Sequence, residues 1–246
     1  MPGSPDLLMN REYHRWYSHR LGRDMELLAY GHAGPATLVF PTSMGRFYEF
    51  EDHGMVGCLS SHIESGNIRL VCVDSVDAES WYHWTAHPHD RLQRHLQYEG
   101  YLLEEVLPLT RSWNSGAPDQ RIATLGCSLG AFHAALLALR HPHVVNRMLA
   151  ISGKYDNTNF LDGYTDSSSY FTNPLAFIPG LFDESIMRSL RAMNIAIVTG
   201  STDPHVGEAR QLSHVLWEKH VPNTLDIWDG WMHDWPYWQA MVSKHL

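Results

Sequence analysis

An α/β architecture is expected of this 246-residue chain: a mostly parallel central sheet flanked by helices on both faces, with an antiparallel hairpin at its start. Short apolar runs of strand length alternate with longer stretches of helical period, the pattern of a parallel sheet whose crossovers cover both faces. The segments Glu12–Ser18 and Met25–Tyr30 flank the break Leu21-Gly22-Arg23-Asp24, which reads as a hairpin adding antiparallel strands at one edge. No repeat, low-complexity tract or Gly/Ser linker divides the sequence, so residues 1–246 are expected to form one domain.

The apolar runs Ala36–Phe40, Ile68–Val73, Ile122–Leu125, Met148–Ile151, Ile195–Val198 and Leu225–Trp228 have the character of buried strands. Between them, Leu92, Leu96, Leu103 and Val106 recur at helical spacing before Pro108. Phe132, Leu136, Leu137 and Leu139 mark an Ala-rich helix ending near His141-Pro142, and Leu212, Val215 and Leu216 mark another. Residues 155–183 break this rhythm with Asn, Asp, Gly, Ser, Thr and aromatics in no clear period. A stretch that long inside a compact domain reads as a lid or pocket wall, the alternative being a partly helical surface excursion.

Composition excludes several classes of function. Apolar residues make up 44% of the chain and charged residues 18%, enough for a substantial core and unlike a disordered tail. The 27 acidic residues outnumber the 18 basic ones, leaving −9 and no basic surplus to displace counterions from nucleic acid. Three cysteines, Cys58, Cys72 and Cys127, form neither a disulfide framework nor a zinc pattern, which favours a reducing compartment, the cytoplasm. No apolar run is long enough to span a membrane, and Met1-Pro2-Gly3-Ser4-Pro5-Asp6 lacks the charge and apolar run of a signal peptide.

Chemistry enters at Gly126-Cys127-Ser128-Leu129-Gly130, a G-x-S-x-G run. A strand-like segment, Arg121–Leu125, precedes it and a helical one, Ala131–Leu137, follows, as a nucleophile elbow requires. The serine of such an elbow sits in a tight, strained turn that admits only small residues two before and two after it. The turn aims Oγ out of the sheet and the helix N-terminus at the reacting centre. The alternative is an ordinary Gly-rich strand-to-helix turn.

A serine nucleophile needs a histidine base oriented by a carboxylate, here expected in the order Ser, Asp or Glu, His. Asp203 follows the strand Ile195–Val198 in the turn Ser201-Thr202-Asp203-Pro204, at the sheet's carboxyl edge. His233 lies in the loop after the last strand, before a terminal helix containing Trp238 and Met241. Asp156, after the strand Met148–Ile151, is the main rival acid. Asp226 should lie within the last strand, and Asp229 and Asp234 neighbour His233 only locally. His214 and His220 fall in or beside a helix; His205 is too near Asp203 to be its partner but is placed to line the pocket. The oxyanion donors are expected from the backbone N–H of Leu129 and from the loop Pro41-Thr42-Ser43-Met44-Gly45-Arg46, with Ser43 first and Met44 second.

With these residues in hand, the chain resembles the α/β-hydrolase superfamily, in particular its esterase D-like branch, which includes S-formylglutathione hydrolases, feruloyl and siderophore esterases and mycolyltransferases. The resemblance covers nearly the whole chain, from the early hairpin through the Gly126–Gly130 elbow and the Thr199–Pro204 turn to Gly230–Trp238. His233-Asp234-Trp235 resembles the branch's ending, and Asp74-Ser75 with Ser80-Trp81-Tyr82 resembles its loop beside the site. Two positions depart from it: Pro41-Thr42 stands where His-Gly is common, and Cys127 stands where His often precedes the serine. Cys127 is expected to pack beneath the elbow.

These residues point to a serine hydrolase cleaving carboxylic esters or thioesters through an acyl-enzyme on Ser128, with Trp81, Tyr82 and His205 at the substrate pocket. The same triad would serve an acyltransferase, and a non-catalytic binding protein could use the same fold, although no triad member is missing. No cofactor is implied. The expected partner is a small-molecule ester, with neither nucleic acid nor membrane, and self-association is left open. His83, His87 and His89 beside Asp90 form a weak His-rich signal broken by Trp84 and Pro88, and no metal is expected there.

Overall fold

The computed structural model describes residues 9–113 and 120–246; the opening Met1–Asp6 lies outside them. Eight strands form one sheet: β1 (Arg11–Ser18), β2 (Arg23–Tyr30), β3 (Ala36–Phe40), β4 (Arg69–Val73), β5 (Ile122–Cys127), β6 (Val145–Ile151), β7 (Asn194–Gly200) and β8 (Thr224–Trp228). Their spatial order is β1-β2-β4-β3-β5-β6-β7-β8. β1 pairs antiparallel with β2, β2 antiparallel with β4, and every later pair is parallel. The carboxyl ends of β3, β5, β6, β7 and β8 therefore lie along one edge, where functional loops collect in sheets of this kind.

Side chains alternate across the sheet into two cores, as the strand period of two requires. On β4, Val71 and Val73 face one core while Leu70 and Cys72 face the other. The first core is closed by the helices Pro88–Tyr101, Leu129–Arg140 and Val206–Glu218, the second by short helices between Glu49 and Glu64 and by the terminal helix Trp235–His245. Leu129–Arg140 is apolar nearly all round and almost wholly buried, so it lies between the sheet and the outer layer. Among the described residues no helix is long and apolar enough to cross a membrane.

Two segments hold detail that periodicity does not carry. The helix from Pro88 runs through Pro108. It widens into a π-turn over Leu102–Val106 and resumes as Leu107–Ser112. Proline cannot donate to residue i−4 and its ring crowds that carbonyl, here Glu104, so the wider turn absorbs the misfit. Residues 155–183 contain the short helices Thr158–Phe160, Ser167–Phe171 and Pro174–Phe177, and bury Phe160, Leu161, Phe177 and Ile178 in the first core. Polar side chains satisfy the backbone there: Asn157 Nδ2 donates to the Ser169 carbonyl at 2.9 Å, and the Asp166 carboxylate caps Ser167–Phe171 by accepting from the Ser169 N–H at 2.7 Å.

The π-turn also presents Glu105 to the hairpin. Its carboxylate accepts from Trp16 Nε1 at 2.8 Å, Ser18 Oγ at 2.8 Å and the Arg20 N–H at 3.1 Å. Glu105→Ala removes the shared acceptor of three donors and is expected to lower stability by about 1–3 kcal/mol, read as a lower urea midpoint at unchanged slope.

Candidate active site

β5 ends in Cys127, and the chain turns at Ser128 into the helix Leu129–Arg140. Ser128 has φ 57° and ψ −123°, a conformation that costs a non-glycine residue of order 1–3 kcal/mol and persists only where the surroundings enforce it. The flanking glycines show what enforces it. A Cβ on Gly126 would lie 2.1 Å from the Gly130 carbonyl oxygen, and one on Gly130 would lie 2.4 Å from that of Phe40. Backbone fills the space a side chain would need, and β3 is thereby drawn against the first turn of the helix.

His233 reaches Ser128 from the loop between β8 and the terminal helix. Its Nε2 lies 2.9 Å from Ser128 Oγ and its Nδ1 lies 2.9 Å from Asp203 Oδ2. The carboxylate can only accept, so Nδ1–H donates to Asp203 and Nε2 is left to accept the serine hydroxyl. The loop is tied to the Asp203 turn by Thr202 Oγ1 donating to the Trp231 carbonyl at 2.7 Å and by the Gly230 N–H donating to Ser201 Oγ at 2.9 Å. The imidazole also packs edge-on against Trp238, ring centres 4.9 Å apart.

Asp203 is buried, and burial alone would raise its pKa. Hydrogen bonds from His233, the His205 N–H at 2.8 Å and the Ser152 hydroxyl outweigh that and hold the carboxyl below its ordinary value. Ser152 follows β6 with φ 53° and also accepts from Trp238 Nε1 at 3.0 Å. No sequence pattern marks it; its place beside Asp203 comes from the pairing of β6 with β7. Asp156 lies elsewhere: its Oδ1 accepts from the Thr158 N–H at 2.8 Å and from Asn173 Nδ2 at 3.0 Å. Cys127 is buried under the elbow, which pushes its thiol well above the usual range and keeps it protonated.

The loop after β3 is gripped on both sides of Ser43. Glu49 accepts from the Thr42 N–H at 2.7 Å and from Thr42 Oγ1 at 2.8 Å. Met44, at φ 61°, turns its N–H onto Asp77 Oδ2 at 3.2 Å, so that donor is occupied. The Ser43 N–H has no hydrogen-bond partner among the described residues. Leu129 opens its helix, where an N–H has no intrahelical acceptor.

Around the serine, a chain of contacts runs from Ser43 to His233. Tyr82 donates its hydroxyl to Ser43 Oγ at 2.8 Å and sets its ring against Phe160 and Trp84. Lys154 Nζ lies 5.5 Å from the Phe160 ring centre and 3.9 Å from Glu208 Oε1, and Glu208 lies 3.6 Å from His205 Nδ1. The His205 ring stands 5.5 Å from that of His233. Trp81 lies behind this wall rather than on it: it is 0% exposed, packed among His95, Phe132 and Phe160, because its indole completes the first core. Phe160 and Lys154, which join Tyr82 and Trp84 in this chain of contacts, were marked by no motif. His87 caps the helix Pro88–Tyr101 with its ring nitrogen, and His87 and His89 both set their rings edge-on to Tyr164.

A Ser–His–Asp chain at the carboxyl edge of this mostly parallel eight-stranded sheet defines an α/β-hydrolase. The "Putative esterase" family model matches residues 18–246, and the chain belongs to that family of serine ester hydrolases. No curated protein matches it by sequence. A ferulic acid esterase superposes with a TM-score of 0.77 at 16% identity, over 97% of this chain and 96% of that one. An S-formylglutathione hydrolase from Agrobacterium tumefaciens gives 0.73 at 13% identity, over 97% and 96%. A fluorophosphonate-binding serine hydrolase from Staphylococcus aureus gives 0.69 at 13%, over 96% of each chain. At these identities the likeness is one of fold.

Because Asp203 is held below its ordinary value in the native state, it stabilises the fold above the unfolded carboxylate value of about 4. That contribution disappears as pH falls through the lowered native value. Asp203→Asn is therefore expected to be less stable than wild type at neutral pH, with the gap narrowing below about pH 4, as read by denaturant titrations across that range.

Proposed function

We propose that Ser128, His233 and Asp203 are the nucleophile, general base and orienting acid of carboxylic ester or thioester hydrolysis, with the N–H groups of Leu129 and Ser43 holding the oxyanion. The observation that carries this reading is the pair of 2.9 Å contacts on either side of the His233 ring. Ser128 Oγ attacks the acyl carbonyl as its proton passes to His233 Nε2, and the carbonyl electrons move to the oxygen. Collapse of the tetrahedral intermediate expels the alcohol or thiol, which takes the proton from Nε2. Water then attacks the acyl-Ser128 carbonyl with His233 again as base, and the second collapse releases the acid and restores the serine. Asp203 fixes the ring's tautomer and stabilises the imidazolium in both halves.

Tyr82, Trp84 and Phe160 form an aromatic wall beside this centre, suited to a flat or extended acyl group of a small ester. The start of the 155–183 excursion supplies part of that wall, so it acts as a pocket side rather than a loose cover. Three free thiols suit a reducing compartment, and we assign the protein to the cytoplasm.

Ser128→Ala is expected to retain its circular dichroism, lose fluorophosphonate labelling and lose about 10⁴-fold or more in p-nitrophenyl ester turnover. Asp203→Asn should lose about 10⁴-fold in kcat, while Asp156→Asn keeps kcat within a few-fold. Steady-state kinetics on the three variants decide it: an active Ser128→Ala removes the mechanism, and a larger kcat loss in Asp156→Asn moves the acid.

A further inference from the structure

A second His–Asp pair lies beneath the site, outside the reaction chain. His133 stands on the helix Leu129–Arg140 one turn below Leu129, at the i+4 spacing that shares a face. Its Nε2–H donates to Asp77 Oδ1 at 3.0 Å, and both side chains are almost fully buried. The other oxygen, Asp77 Oδ2, accepts from the Met44 N–H. The His133 ring also lies against Phe40, the last residue of β3, with ring centres 6.0 Å apart.

We propose that Asp77 and His133 are positioning residues that hold the Ser43 N–H at its working distance from the Leu129 N–H; this rests on the assignment of those two donors above. The connection is continuous: the helix that begins with Leu129 carries His133, His133 holds Asp77, and Asp77 holds the residue next to Ser43. The pair is a poor choice for stability alone. A buried carboxylate and imidazole must be desolvated, apolar residues of similar volume are often at least as stable, and His133 Nδ1 is left without a hydrogen-bond partner. What the pair supplies is direction. It keeps Met44 at φ 61°, where a non-glycine residue does not rest unaided, and turns the Met44 N–H inward. Glu49 does the same to the Thr42 N–H on the other side. Ser43 is thus the residue whose donor remains free between two occupied neighbours.

The test uses Asp77→Asn, His133→Leu and His133→Gln, the last keeping a donor toward Asp77. Two readouts are compared: p-nitrophenyl acetate kinetics, and Ki for phenyl trifluoromethyl ketone, which forms a tetrahedral oxyanion on a serine. Displacing one oxyanion donor should cost part of the roughly 10²–10³-fold that removing it costs. Asp77→Asn and His133→Leu are expected to lose about 10–100-fold in kcat with KM within about twofold, and the ketone's Ki should rise by a similar factor. His133→Gln should recover part of both. Leu190→Ala, at a fully buried position on the helix Glu184–Arg191 that carries none of the site residues, provides a destabilised control whose kcat stays at wild type. The proposal is overturned if folded Asp77→Asn has wild-type kcat, if only KM moves, or if Leu190→Ala loses as much kcat for the same loss of melting temperature. Should Asp77→Asn not fold, the Leu and Gln variants at His133 give the same comparison, and equal kcat in the two overturns it. A Ser128→Ala that still turns over overturns the parent assignment and this one together, whereas an inactive Ser128→Ala beside a fully active Asp77→Asn overturns only this one.

Discussion

The close approach of backbone to backbone at Gly126 and Gly130 sets the geometry of everything around Ser128. Gly130 lets the end of β3 touch the first turn of the helix Leu129–Arg140, and Gly126 lets that turn fold back on β5. The strained serine conformation is the local consequence, and it turns the half-buried Oγ at the sheet edge toward His233. The same contact brings the loop after β3 beside the N-terminus of the helix. Two backbone donors from distant parts of the sequence can then serve one oxygen.

Two buried carboxylates and one half-buried one fix the remaining geometry, each by accepting more than one hydrogen bond. Asp203 takes His233, the His205 N–H and the Ser152 hydroxyl. Asp77 takes His133 and Met44, and Glu49 takes both the N–H and the hydroxyl of Thr42. A carboxylate surrounded by donors in a low-dielectric interior resists displacement, because moving it leaves several groups unpaired at once. His233 and the loop after β3 are therefore held by separate acids that share no ligand.

Much of this was legible in the chain, for reasons that differ by residue. The strand runs and the hairpin followed from periodicity, and the family resemblance from the elbow, the Thr199–Pro204 turn and His233-Asp234-Trp235. Ser128, Asp203 and His233 were marked by their place after particular strands, and the structure brings the three within hydrogen-bond distance. Trp81 reads from sequence both as core by default and as a pocket residue, since a loop aromatic beside a site can face either way; its packing puts it in the core. Ser43 ranks ahead of Met44 in sequence only by register, because a backbone N–H has no residue-specific signature; the structure adds that the Met44 N–H is taken by Asp77. His133, Asp77 and Ser152 were silent for a related reason: their partners come from other strands and loops, at separations no motif encodes. The helix continued past Pro108 because a π-turn, invisible to a 3.6-residue period, relieved the clash.

The central claim is that one oxygen, developing on the substrate at Ser128, is held by Leu129 and Ser43 together. A crystal structure of the protein inactivated with an alkyl fluorophosphonate tests it most directly, since the phosphonyl oxygen stands where the oxyanion forms. The expected adduct has phosphorus on Ser128 Oγ and that oxygen about 2.7–3.1 Å from the backbone nitrogens of both Leu129 and Ser43. An adduct on another residue, or a phosphonyl oxygen on Ser128 that neither nitrogen reaches, would contradict it.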